Sequence, residues 1–141
     1  PATHEALVSS IDLVPTVLSA LGVDRTPYQL PGVDLMPSAR GEEPLDADRP
    51  VFGEIYPGDA TSLGKPKRDI AYRWIRAGNL KLIVPHAGES GKAWNQYVDR
   101  VTLYDLATDP GETKNLADDP KSADHVSRLQ GLLDDWWPAR R

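Results

Sequence analysis

The run Leu103-Tyr104-Asp105-Leu106-Ala107-Thr108-Asp109-Pro110-Gly111-Glu112-Thr113-Lys114-Asn115-Leu116-Ala117 constrains this chain more than any other. It alternates as a strand through Leu106, stops at a Pro-Gly turn with proline in a favoured position, and hands over towards a helix. Asp119 and Pro120 then form an N-cap and N1 pair. Val126, Leu129, Leu133 and Trp136 fall on one helical face, Leu132 lies alongside, and Pro138 is placed to stop the helix. Burial of such a face is worth about 1.5–3 kcal/mol per large side chain before entropy is counted. A helix of this kind must cover a sheet.

The strands available for that sheet lie upstream. Val51 to Tyr56 is a short strand candidate, followed by a loop over Pro57 to Lys67. Ile70 to Arg76 alternates, with Ile70, Tyr72 and Trp74 on one face and Ala71, Arg73 and Ile75 on the other. Ala77-Gly78-Asn79 supplies a hairpin turn, and Leu80 to Val84 returns antiparallel. Pro85 to Asp99 reads as a polar loop and Val101 to Leu106 as the next strand. The expectation is α+β: a small antiparallel sheet packed by a long C-terminal helix.

The opening of the chain reads differently. Ala6 to Ile11 is β-compatible, with a helical turn as the alternative, and Asp12 sits where an N-cap would. Pro15 falls in the first turn, and Val14, Val17, Leu18 and Leu21 make an apolar stripe that ends at Gly22. The predicted order is a strand, then a helix over Leu13 to Leu21. This unit has no second strand of its own, the first sign of a missing partner. Asp24 to Pro50, with seven prolines and glycines at turn positions, reads as an extended connector.

Composition narrows the rest. A chain of 141 residues suits one ordinary domain, and its 13 prolines and 11 glycines argue against a helical bundle. The net charge of −5 is spread along the sequence, and Lys65-Pro66-Lys67-Arg68 is too short a basic cluster to argue for nucleic acid. With no cysteine there are no disulfides, thiolate metal sites or cysteine nucleophiles. No apolar stretch approaches the roughly 20 residues that cross a bilayer. The chain begins at Pro1, directly ahead of core-like sequence, and so reads as a piece of something longer.

Spelled L-Y-D-L-x-x-D-P-x-E-x-x-N-L, the run at 103–116 resembles a signature near the carboxyl end of type I sulfatases. Three further elements resemble the same family in the same order. Val8 to Gly22 looks like a last core strand running through D-x-x-P-T into a helix, and Gly32-Val33-Asp34-Leu35-Met36-Pro37 like the segment after it. Arg73 to Ile83 is similar to the R-x-x-R-x-x-x-x-K hairpin. The resemblance implies an alkaline-phosphatase-like α/β hydrolase. Residues 1–23 would end its large domain, 24–50 would connect, and 51–141 would form the C-terminal subdomain. It also implies, for the full-length enzyme, a formylglycine made in C/S-x-P-x-R and a calcium or similar divalent ion. Neither motif maps here: Pro37-Ser38-Ala39-Arg40 has the letters in the wrong order. The expectation is no catalytic residue, metal ligand or cofactor in this chain.

Candidate site residues are accordingly few. The loop with His86, Lys92, Trp94, Asn95 and Arg100 mixes cationic, aromatic and amide groups suited to an anionic or sugar-like substrate. Against that, Trp94 packing on the core and Arg100 in a weak surface ion pair are the plainer readings. Tyr56 and Lys65 are weaker candidates. His4, Glu5 and His125 read as surface groups, and Asp105, Asp109, Glu112, Asp118 and Asp119 as caps and turn residues, lacking the order of a calcium loop. Of Trp136 and Trp137, one is expected on the sheet and the other over a seam with an absent domain.

Three functions stay open. The first is the C-terminal part of a sulfatase-like hydrolase, silent alone, whose partner is the missing N-terminal catalytic domain and whose full enzyme cleaves a sulfate ester. The second is a stand-alone non-catalytic binding module, and the third part of a related phosphoester hydrolase. No nucleic-acid or membrane partner is expected. Export is common in the resembled family, and the parent's compartment is left open between periplasmic, secreted and other locations.

Overall fold

A Schellman turn ends the first helix of the computed structural model, which describes residues 3–56, 64–86 and 98–137. The Gly22 N–H donates to the Ser19 carbonyl at 3.0 Å and the Val23 N–H to the Leu18 carbonyl at 2.9 Å, with Gly22 at a φ of 68°. Glycine takes this left-handed position without a Cβ penalty, so α1 (Leu13–Ala20) stops where the sequence places the stop. The expected strand ahead of it does not form among the described residues. Ser10–Asp12 close a 3₁₀ turn instead, because the extended segment before them has no neighbour with which to build a ladder. The chain divides into two compact units, Pro1–Val51 and Phe52–Arg141, each with its own internal contacts.

In the first unit Asp12 stands at the N-cap of α1, where the sequence puts it, but its side chain is engaged elsewhere. Its carboxylate makes no cap bond to α1 and is fully buried. It accepts instead from the Ser9 N–H at 2.8 Å, the Val33 N–H at 2.9 Å and both terminal nitrogens of Arg49, at 2.8 and 2.7 Å. Arg49 also donates to the Leu7 carbonyl at 3.2 Å. Thr16 Oγ1 donates to the Asp12 carbonyl at 2.6 Å and accepts from the Leu35 N–H at 3.0 Å. Residues 32–35, leading into the short helix α2 (Met36–Ala39), are thus tied to the start of α1 by backbone donors. Gly32 makes this approach possible: a Cβ there would stand 2.1 Å from the Ile11 carbonyl oxygen. The turn-rich stretch is held by hydrogen bonds rather than by a core of its own.

The second unit is built on β1 (Val51–Ile55), β2 (Tyr72–Ala77), β3 (Leu80–Pro85) and β4 (Thr102–Asp105), in spatial order β1-β2-β3-β4. The β2–β3 and β3–β4 pairs are antiparallel, with Ile75 opposite Leu82 and Leu82 opposite Leu103. A 3₁₀ turn at Pro120–Ser122 leads into α3 (Ala123–Trp136), and Asp119 caps that turn by accepting from the Lys121 N–H at 3.0 Å. Leu129 and Leu133 of α3 pack on Ile75, Ala77, Leu82, Val84 and Leu103, with Val126 and Leu132 at the margin. Period-2 alternation puts those strand residues on one face, and period-3.6 spacing puts the leucines over them. A smaller cluster joins Ala71, Tyr72 and Ile83 to Trp74, Val98 and Tyr104. Trp136 stacks on Phe52, ring centroids 5.0 Å apart. The sheet-and-helix reading of the sequence matches this architecture. Pro138 lies outside the described residues, and α3 ends at Trp136.

Candidate functional site

The residues of the 103–116 run serve the sheet edge. After β4 the Asp109 carboxylate accepts from the Thr113 and Lys114 N–H groups, each at 2.8 Å, and from the Thr113 hydroxyl at 3.0 Å. These backbone donors hold the Asp109 carboxyl below the usual carboxylate range. The turn aims Asn115 back at β4. Its Oδ1 accepts from the Leu103 N–H at 3.0 Å and its Nδ2 donates to the Val101 carbonyl at 3.3 Å, while the Leu116 N–H donates to the Leu103 carbonyl at 2.8 Å. One side chain and one amide thus do at the outer edge of β4 what a further strand would do. Asn115→Ala is expected to leave the Leu103 N–H without an acceptor and cost about 1–3 kcal/mol. Faster exchange of the Leu103 amide is the measurement, and Asn115→Asp, which keeps an acceptor, should protect it better.

The R-x-x-R-x-x-x-x-K residues are clamps of the same unit. Arg73 donates to the Trp137 carbonyl and, at 2.9 Å, to Asp134, so β2 holds the carboxyl end of α3. Arg76 Nε donates to the Gly78 carbonyl at 3.1 Å across the hairpin turn. Lys81 pairs with Glu112 at 2.6 Å and sits 5.9 Å from the Trp74 ring centroid. The sequence identifies these positions as a pattern but gives no sign of the partners of Arg73 and Lys81, which are 31 to 64 residues away.

Of the candidate binding residues, Lys92 and Trp94 lie outside the described residues, as does Asn95. His86 is only 8% exposed. Its backbone N–H donates to the Ala71 carbonyl at 2.8 Å, and its ring bonds to the Lys67 carbonyl. Arg100 is exposed and pairs with exposed Asp118 at 3.4 Å, a contact of little energetic weight. No hydrogen bond or ion pair joins His86 to Arg100 among the described residues. Tyr56 and Lys65 are exposed, and burial of part of the ring with the nearby charges of Glu54 and Asp69 raises the Tyr56 phenol above its ordinary value. His4, Glu5 and His125 are exposed. In the first unit a cavity of about 710 Å³ is lined in part by Arg25, Tyr28, Asp34, Ser38 and Glu43. There Asp34 is already held by the Met36 N–H and the Ser19 hydroxyl.

These residues do not fit a formylglycine or a calcium ion. There is no cysteine, and no serine is followed by the x-Pro-x-Arg that the modification requires. Among the described residues the one fully buried carboxylate, Asp12, already accepts four hydrogen bonds from nitrogen donors. Among the described residues no three of His, Asp and Glu gather to hold a metal, and no helix is long and apolar enough to cross a membrane.

A four-stranded sheet covered by one long C-terminal helix is an arrangement this chain shares with solved sulfatases, enzymes of the alkaline phosphatase superfamily. Residues 1–137 match the family described as N-sulphoglucosamine sulphohydrolase, C-terminal, and the chain belongs to it. It is 30% identical over 140 residues to a Delta 4,5-hexuronate-2-O-sulfatase of Bacteroides thetaiotaomicron, covering 96% of this chain and 25% of the relative. It is 30% identical over 166 residues to the N-sulphoglucosamine sulphohydrolase of Homo sapiens, covering 94% and 32%. Among solved structures, a 2-O GAG sulfatase superposes with a TM-score of 0.66 at 28% identity, over 89% of this chain and 23% of that one. The chain therefore spans about a quarter to a third of the curated relatives it matches.

Proposed function

We propose that this chain acts as the C-terminal portion of a sulfuric ester hydrolase whose substrate is a sulfated sugar. The observation that carries the reading is the family match over residues 1–137, together with its coverage of only 25% and 32% of the two relatives. The sugar substrate rests on the names of those relatives. The formylglycine and divalent ion belong, on this reading, to an N-terminal catalytic domain, and the present residues supply the subdomain packed beside it. A seat for that domain is supported by the helix α1 and its C-cap Leu21, where Leu13, Val14, Val17 and Leu21 are 60, 54, 54 and 71% exposed. Four large apolar side chains on one short helix and its C-cap are an unusual surface for water. His86 and Arg100, with Lys92 and Trp94, stay proposals as substrate-pocket groups. Of the two described ones, solvent-facing Arg100 is better placed to meet an anion.

The purified 141-residue chain is expected to release no sulfate from an aryl sulfate or a sulfated monosaccharide. The protein encoded by the gene upstream through Arg141 is expected to do so, with a C/S-x-P-x-R motif in frame ahead of Pro1. Sulfate release by the short chain, or an upstream frame without that motif, overturns the reading. An upstream frame without the motif would favour the stand-alone module.

A further inference from the structure

We propose that His86 and Arg73 form a proton-sensitive latch: neutral His86 leaves Arg73 holding the last turn of α3, and proton uptake by His86 lets that turn go.

The argument starts from hydrogen-bond capacity. His86 continues the β2–β3 ladder opposite Ala71, so Arg73 is its diagonal neighbour on the helix-facing side. The imidazole is buried, its Nδ1 has no hydrogen-bond partner, and its ring nevertheless bonds to the Lys67 carbonyl. Nε2 must then carry the proton and Nδ1 a bare lone pair. Arg73 is 3% exposed, and its Nε is likewise without a partner while its terminal nitrogens reach Trp137 and Asp134. A neutral imidazole beside this guanidinium is tolerable. An imidazolium is not, since it would add a donor at Nδ1 with no acceptor and a second buried cation.

The charged groups facing His86 are Arg73 of β2 and Lys67 of the 3₁₀ turn Pro66–Arg68, while Asp134 of α3 reaches Arg73. Burial, and then the Arg73 charge, hold the imidazole below its ordinary value against the opposing pull of the Lys67 carbonyl. The sign follows. The unfolded chain takes up a proton near 6.5 and the folded one only at lower pH, so stability falls as pH drops below about 6.5 and levels off once folded His86 protonates. The cheapest local relief is at α3, where a single residue, Trp137, presents the carbonyl that Arg73 holds.

The test is hydrogen exchange of the 141-residue chain at about pH 7.5 and about pH 5.5, corrected for intrinsic rates, beside an NMR titration of the His86 ring. The Trp137 amide, bonded to the Leu133 carbonyl at 3.0 Å, is expected to lose at least tenfold protection at the lower pH. Amides of β3 should lose less. His86→Gln keeps a donor for the Lys67 carbonyl but cannot titrate, and should abolish the difference. Glu54, which burial raises, acts in the opposite direction and is common to both proteins. If the variant does not fold, the wild-type titration still decides. A His86 midpoint at or above about 6.5, a proton on Nδ1 at neutral pH, or equal loss of protection in both proteins overturns the latch.

Discussion

Arg49→Ala is expected to destabilise the first unit by about 3–5 kcal/mol, the usual cost of stranding a buried charge. The carboxylate left behind is fully buried, and it would retain only the Ser9 and Val33 N–H groups. Asp12→Ala should cost a similar amount, because the same residue anchors both 32–35 and Arg49. Replacing both partners with apolar residues of like size, Asp12→Leu with Arg49→Met, should recover much of the loss, since no charge is then left without a partner. Urea unfolding of the four proteins closes the double-mutant cycle. Single variants within about 1 kcal/mol of the wild type would mean the pair behaves as an ordinary surface contact, and the assigned role would be wrong.

The same pair has a pH signature. Burial on its own would raise the Asp12 carboxyl. The Arg49 hydrogen bonds, with those from Val33 and Ser9, outweigh it and hold the carboxyl below its ordinary 3.8. A depressed folded value means that the stabilisation is complete above the unfolded value and disappears as pH falls through the folded one. The first unit should therefore keep its hydrogen-exchange protection down to about pH 4 and lose it below, whereas the double apolar variant should show a flatter acid limb.

The second large effect is Leu133→Ala, expected to cost about 2–5 kcal/mol. Leu133 is wholly buried, as is Leu129 one turn earlier, and both meet Ile75, Leu82 and Leu103 across the sheet-helix interface. Truncation removes apolar contact and leaves a cavity that rigid strands cannot close. Val126→Ala, at the half-buried margin of the same helix, should cost clearly less. A thermal or urea midpoint that ranks Val126 above Leu133 would show that α3 is not seated as described.

The predicted elements that formed are those with local causes. Gly22 ends α1, Gly78 and Asn79 turn the hairpin, and Asp119 and Pro120 start the last helix, each through a preference of a residue and its immediate neighbours. The strand expected before Asp12 failed for the complementary reason. A strand is defined by a neighbour, and none is present for it among the described residues. The N-cap position of Asp12 was legible, but the partner of its carboxylate was not. An N-cap is a local bond, whereas its real partner, Arg49, is 37 residues on and carries no distinguishing spelling.

Periodicity, turn chemistry and the order of four short motifs were settled by the sequence, and with them the sheet, helices α1 and α3, and the family, whereas the short α2 lies in what reads as connector. Which charges are buried, which side chain closes the β4 edge, and that His86 lies inside rather than facing solvent were decided only when the chain folded. Such contacts join residues tens of positions apart, and their energy depends on burial and direction, neither of which is a property of a residue in sequence.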